Sequence, residues 1–126
     1  MIKTVSLSIL LMSILTIAIF ELVFPIEDVD PHVVEDEKTK LLYFGATWCT
    51  PCVEMKKLFK NTDVKKELDK YDFIMYDYDL DIKVAEEYNI QYLPTMVFER
   101  GGKIIHRIES GLGKEELLKI LKEKSS

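Results

Sequence analysis

Ala46-Thr47-Trp48-Cys49-Thr50-Pro51-Cys52 holds both cysteines of the chain, its one tryptophan and one of its four prolines. An apolar run, Leu41-Leu42-Tyr43-Phe44-Gly45-Ala46, leads into it, and a helical pattern from Val53 to Phe59 leads out. A C-x-x-C pair between a strand and a helix, inside an alternating β/α pattern, reads as a thiol–disulfide redox site. The spacing has a physical reason. If a helix starts at Cys49, then Cys52 lies one turn on and on the same face. The two sulfurs can close a small ring, with Cys49 at the positive end of the helix dipole. A thiolate placed there is stabilised, so its pKa is expected below the roughly 8.5 of a free cysteine. Pro51 suits the first turn, where its missing N–H removes no hydrogen bond.

Composition narrows the alternatives. The chain has 126 residues, which fits one domain plus an appendage. Its net charge of −5 leaves no basic face to displace counterions from phosphates, so nucleic acid is excluded as a partner. Two cysteines three positions apart form no disulfide framework. A structural zinc site needs four ligands, and only His32 and His106 could complete one, so no metal is expected. Soft thiolates could instead hold Cu(I) in a metal-delivery module, which would need a third ligand nearby. His106 shares strand parity with Ile104 and Ile108 and reads as a core-edge histidine.

The chain begins with Lys3 ahead of an apolar segment that runs to Phe24, broken only by the charge of Glu21. About 20 helical residues span roughly 30 Å, the thickness of a bilayer core. Residues 1–24 therefore read as an N-terminal signal anchor, a transmembrane helix, with a cleaved signal peptide as the alternative. Lys3 precedes the segment, and no Lys or Arg follows it until Lys38. The positive-inside rule then leaves the N-terminus in the cytoplasm and everything after Phe24 on the extracytoplasmic, periplasmic side. Residues 25–38 are acidic and punctuated by proline, and read as a linker with one short strand near His32-Val33-Val34.

From Thr39 the pattern is regular. Leu41 to Ala46 has the content of a buried strand. Cys52, Met55 and Phe59 form one helical stripe, and Asn61-Thr62-Asp63 ends that helix and caps the next, which carries Val64, Leu68 and Tyr71. Phe73 to Tyr78 is a second strand. Asp81 reads as the N-cap of a helix reaching Tyr88, with Val84, Ala85 and Tyr88 inward. Thr95–Glu99 and Lys103–Glu109 make a hairpin around Arg100-Gly101-Gly102. Gly113 opens a last helix with Leu117, Leu118, Ile120 and Leu121 inside. The order is β-α-α-β-α-β-β-α. Helical crossovers between the first three strands predict that all three run parallel, with the hairpin adding an antiparallel edge.

Trp48-Cys49-Thr50-Pro51-Cys52 after a strand, together with Tyr92-Leu93-Pro94-Thr95 before a hairpin, resembles the thioredoxin superfamily over residues 39–126. Asp77-Tyr78-Asp79 and Ala85-Glu86-Glu87-Tyr88-Asn89-Ile90 resemble the same family. Cys52-Val53-Glu54-Met55, Asn61-Thr62-Asp63-Val64 and Leu68 are similar to one branch of it. That branch includes the C-terminal domain of the transmembrane thiol:disulfide interchange reductase and small periplasmic thioredoxin-like proteins. The resemblance implies an α/β thioredoxin-like domain, with a central mixed sheet of about four strands flanked by helices. It implies Cys49 as nucleophile, Cys52 as resolving cysteine and a redox-active disulfide between them. Substrate contact would come through Trp48, Thr50, Pro51, Leu93 and Pro94, with Pro94 matching the family's cis-proline. No cofactor is implied. The partners implied are protein disulfide or dithiol substrates and an electron-donor thiol protein, membrane-bound or soluble.

Two departures stand out. The family's buried acid, six positions before the nucleophile, falls on Tyr43, and its lysine partner falls near Met75. Thr50 and Pro51 place no cation between the cysteines. A potential nearer thioredoxin's roughly −270 mV than the roughly −120 mV of the strong periplasmic oxidant is therefore expected, and with it a reductant rather than an oxidase or isomerase.

Overall fold

The computed structural model of the chain describes residues 9, 11–16, 19 and 37–125. The chain divides into two compact units, Met1–Glu35 and Asp36–Ser126. Of the first unit, residues 9, 11–16 and 19 are helical and exposed. Most of the expected anchor, most of the linker and the strand expected near His32 lie outside the described residues. Among those described, no helix is long and apolar enough to cross a membrane.

The second unit contains β1 (Lys40–Gly45), α1 (Thr50–Phe59), α2 (Thr62–Leu68), β2 (Asp72–Asp77), α3 (Ile82–Glu87), β3 (Thr95–Arg100), β4 (Lys103–Ile108) and α4 (Lys114–Lys124). This is the element order read from the sequence. The four strands lie in one sheet in the order β2-β1-β3-β4. β1 pairs with β2 parallel, and with β3 antiparallel.

The direction of β3 corrects the expectation of three parallel strands, and helix length gives the reason. A strand of six residues covers about 20 Å, and α1 with α2 together carry the chain back over that distance. Helix α3 has only six residues, about 9 Å at the rise of an α-helix. It is too short to carry the chain back along the sheet by itself, and the loop after it stays at the near end, where the Thr95 hydroxyl donates to the Tyr92 carbonyl. β3 therefore starts where β2 stops, at the C-terminal end of β1.

Strand alternation sorts the core into two layers. Leu41 and Tyr43 of β1, with Met96 and Phe98 of β3, pack against Met55, Phe59, Val64, Leu68, Leu117 and Leu121 of α1, α2 and α4. Leu42, Phe44 and Val97 face the other way, onto Ala85 and Ile90 around α3. Asn61 starts α2 by accepting the Asp63 N–H on Oδ1 at 3.0 Å. Asn89, just past α3, takes φ +50°, the left-handed cap that Asn tolerates. Gly101 and Gly102 have φ +57° and +71°, and so form the two-residue turn that matches a hairpin's twist. A bulge between Phe98 and Glu99 shifts the register of β4. It breaks the parity expected of Ile104, His106 and Ile108: His106 packs on Phe98, ring centres 5.7 Å apart, while Ile104 pairs with Glu99.

Candidate active site

β1 ends in a tight turn, closed by the Cys49 N–H donating to the Ala46 carbonyl at 3.3 Å. Cys49 follows as the N-cap of α1, with extended backbone, and Pro51 lies in the first turn. The first N–H groups of a helix have no partner within it. One of them, that of Cys52, donates to Cys49 Sγ at 3.3 Å. The sulfur thus takes the place that a Ser or Asp oxygen usually fills at a helix start. A negative charge on Cys49 Sγ would be held by that N–H and by the helix dipole together.

Cys49 and Cys52 form a disulfide, with Cα atoms 5.2 Å apart. Cys52 is fully buried and Cys49 is 7% exposed. An attacking or leaving sulfur from outside therefore reaches Cys49 alone. Beneath the pair, Ala46, Tyr78 and Leu93 close an apolar floor.

The antiparallel β3 brings its N-terminal end to the same edge of the sheet. The Leu93–Pro94 peptide bond is cis, and the Thr95 hydroxyl, fully buried, donates to the Tyr92 carbonyl at 2.6 Å and pins that loop. A groove of about 440 Å³ runs between the two segments, lined by Trp48, Cys49, Pro51, Tyr78, Gln91, Tyr92 and Leu93. Four of the residues expected at the site, Trp48, Cys49, Pro51 and Leu93, thus share one groove. Thr50 is exposed beside it and Pro94 is buried behind Leu93. Trp48 is 67% exposed, and its Nε1 donates to Asp79 Oδ2 at 2.8 Å. Asp79 in turn is tied back through its N–H to Asp77 Oδ1.

Sequence reasoning missed Asp79, Tyr92 and Gly111 as parts of this site. Asp79 and Tyr92 stand inside stretches already noted, Asp77-Tyr78-Asp79 and Tyr92-Leu93-Pro94-Thr95, but their partners lie far away in sequence. Gly111 had no local signal. A Cβ there would come within 3.3 Å of the Pro51 Cβ, so a glycine lets the loop before α4 pass close to the active-site helix.

Tyr43 lies under the second cysteine. It is fully buried, and its hydroxyl donates to the Cys52 carbonyl at 3.1 Å. Burial pushes its pKa up to about 12. The ring reaches this position over Gly45, where a Cβ would fall 2.7 Å from the Tyr43 hydroxyl oxygen. Strand β1 thus needs a glycine at 45 to hold a tyrosine at 43.

Among the described residues, no three His, Cys, Asp or Glu side chains converge in a way that could hold a metal ion. The arrangement fits a two-electron exchange between dithiol and disulfide. The family model for thioredoxin matches residues 24–123.

The chain belongs to the thioredoxin family.

It is 33% identical over 89 residues to the chloroplastic thioredoxin Y of Oryza sativa subsp. japonica, covering 71% of this chain and 52% of that protein. It is 37% identical over 84 residues to thioredoxin H3 of Arabidopsis thaliana, covering 67% of this chain and 69% of the relative. The crystal structure of Malassezia sympodialis thioredoxin superposes with a TM-score of 0.63 at 28% identity, over 71% of this chain and 77% of that one. The chain therefore spans about half the length of the rice relative and about two thirds of the Arabidopsis one. Its thioredoxin domain is that of a thiol:disulfide oxidoreductase, and Cys49–Cys52 is its C-x-x-C disulfide.

Proposed function

We propose that the protein reduces disulfides of other proteins on the extracytoplasmic side of a membrane, held there by its N-terminal segment. The observation that carries the reaction is the seat of Cys49 Sγ, at the first turn of α1 and on the Cys52 N–H at 3.3 Å. In the reduced protein the Cys49 thiolate attacks one sulfur of a substrate disulfide. That bond breaks, a mixed disulfide forms, and the leaving sulfur takes a proton. Cys52 loses its proton and attacks Cys49 Sγ. The substrate leaves with two thiols, and the Cys49–Cys52 disulfide remains, oxidised by two electrons. A donor dithiol must then return those electrons, which implies a thiol-bearing partner protein on the same side. Trp48, Thr50, Pro51, Leu93 and Pro94 frame the approach of the substrate backbone to Cys49.

Placement outside the cytoplasm rests on the apolar run ahead of Phe24 and on Lys3 preceding it. Reduction rather than oxidation rests on Thr50 and Pro51, which offer no cation to the thiolate. The test is trapping. A Cys52→Ala variant expressed with its N-terminal segment should accumulate exported proteins as mixed disulfides on Cys49. Recovery of cytoplasmic partners alone would reject the location, and a titrated potential above about −180 mV would reject the direction.

A further inference from the structure

Three aromatic side chains line the groove of about 440 Å³ beside Cys49: Trp48, Tyr78 and Tyr92. Trp48 is 67% exposed and Tyr92 60%, while Tyr78 is half-buried beneath the disulfide. The other four tyrosines set their rings against a second aromatic: Tyr43 on Phe59, Tyr71 on Phe98, and Tyr76 and Tyr88 on Phe44. None of the three groove aromatics makes such a ring contact, and the Tyr78 and Tyr92 hydroxyls make no hydrogen bond among the described residues. The rest of the groove is Cys49, Pro51, Gln91 and Leu93, so no lysine or arginine lines it. A carboxylate stands at its edge. Asp79 Oδ2 accepts the Trp48 Nε1 hydrogen at 2.8 Å, and Asp79 is exposed, with no ion-pair partner among the described residues. An indole N–H that donates to an anion pushes electron density into its ring, which makes the ring face more attractive to a cation.

We propose that this groove selects substrate segments that carry a lysine or arginine beside the cysteine that Cys49 attacks. The inference rests on the reductant reading above and names a substrate class for it. The cation lies over the Trp48 and Tyr92 rings, with Asp79 as its counter-charge. Tryptophan offers the strongest face for such a contact, which acts within about 6 Å of the ring centre. The occupant follows from continuity with the dithiol. Cys49 is itself part of the groove, so a chain that brings a sulfur to it lays the neighbouring residues along these rings. A leucine there would meet the rings and leave the carboxylate unanswered, and a glutamate would be repelled by it. One such contact gives about two- to fivefold discrimination at an exposed site, and about thirtyfold where it is desolvated. The preference is therefore a matter of rate among substrates, and substrates without the cation are still reduced.

The test uses the full chain, reduced, and three disulfide-linked peptide dimers of the form Gly-X-Cys-X-Gly, where X is lysine, norleucine or glutamate. Placing X on both sides of the cysteine makes the result independent of the direction in which the peptide lies. Each second-order rate constant is divided by that peptide's own rate with dithiothreitol, because a flanking cation also makes a thiol a better leaving group. The normalised rates should fall in the order lysine, norleucine, glutamate, with lysine ahead of norleucine by about fivefold. Tyr92→Leu, which keeps an apolar wall and removes the ring, should shrink that ratio to about twofold or less, and Tyr92→Phe should restore it. Asp79→Asn should shrink it as well. The ratio is read within each variant, so a general loss of activity cancels. Equal normalised rates for lysine and norleucine would overturn the proposal and leave the reductant reading standing. A ratio unmoved by Tyr92→Leu would trace the preference to the chain's net charge of −5 and overturn it too. Failure to reduce any of the three peptides would sink the reductant reading and the preference with it.

Discussion

Cys49 and Cys52 differ by one helical turn and by nearly all of their access to solvent. The reduced protein should therefore react with iodoacetamide at Cys49 first. Its rate should already be near its plateau at neutral pH, where a free thiol is still mostly protonated. Mass spectrometry of the singly alkylated species across a pH series would check this; equal labelling of the two sulfurs would contradict it. Tyr43 gives a second expectation. Its hydroxyl keeps its proton to about pH 12, so it accepts none from Cys52 at neutral pH, and that proton must leave by water or by the departing thiol. Tyr43→Phe should lower stability by about 1 kcal/mol, the net worth of one hydrogen bond, and leave the pH profile of insulin reduction between pH 6 and 9 unmoved. A shifted profile would make the phenol part of the proton path. The pairing of Tyr43 with Gly45 was open to a sequence reader only as two residues of one strand face. Which of them yields space to the other is set by packing in three dimensions.

At the scale of elements, the sequence carried most of what local physics controls. The helical stripe through Cys52, Met55 and Phe59 is buried as its spacing requires. Asn61, Asp81 and Gly113 each stand at a helix start. The Asp81 carboxylate, however, turns back to accept the Asp77 N–H at 2.8 Å and makes no side-chain cap bond to its own helix. What local patterns could not carry was the direction of β3. Periodicity marks residues 81–88 as helical, but it does not say that the loop after this short helix stays at the end of the sheet where β2 stops. The site depended on this step, because a parallel β3 would have left Pro94 at the opposite end of the sheet from Cys49. The closing helix supplies the prediction at this scale. Leu117 and Leu121 of α4 are fully buried against the layer that also holds Met55 and Phe59. Leu117→Ala should cost about 2–5 kcal/mol in a denaturant melt, while the potential of the dithiol stays put if the variant remains folded.

For the molecule as a whole, three of its six tyrosines set an alkaline limit. Burial pushes Tyr43 and Tyr71 up to about 12. Tyr88 is likewise raised to about 12, first by donating to the Glu99 carboxylate at 2.6 Å, which in turn holds Glu99 below the usual carboxylate range. A phenol whose folded pKa exceeds its unfolded value near 10 stabilises the fold fully below pH 10, and loses that contribution as pH climbs toward 12. Melting temperatures by circular dichroism should therefore be flat up to about pH 10 and fall beyond it. Tyrosinate absorbance should still be rising as the protein unfolds above pH 10; a rise complete near pH 10 with the fold intact would contradict the burial of Tyr43 and Tyr71. The Gly101-Gly102 turn has a practical consequence of its own. Antiparallel pairing sets Glu99 opposite Lys40 and Thr95 opposite Phe44, so this turn caps the end of the sheet remote from the sulfurs, about 20 Å away. A tag spliced between those glycines would be a handle at the back of the molecule. Protein coupled to a bead by that handle should go on reducing insulin, presenting its dithiol outward to whatever flows past.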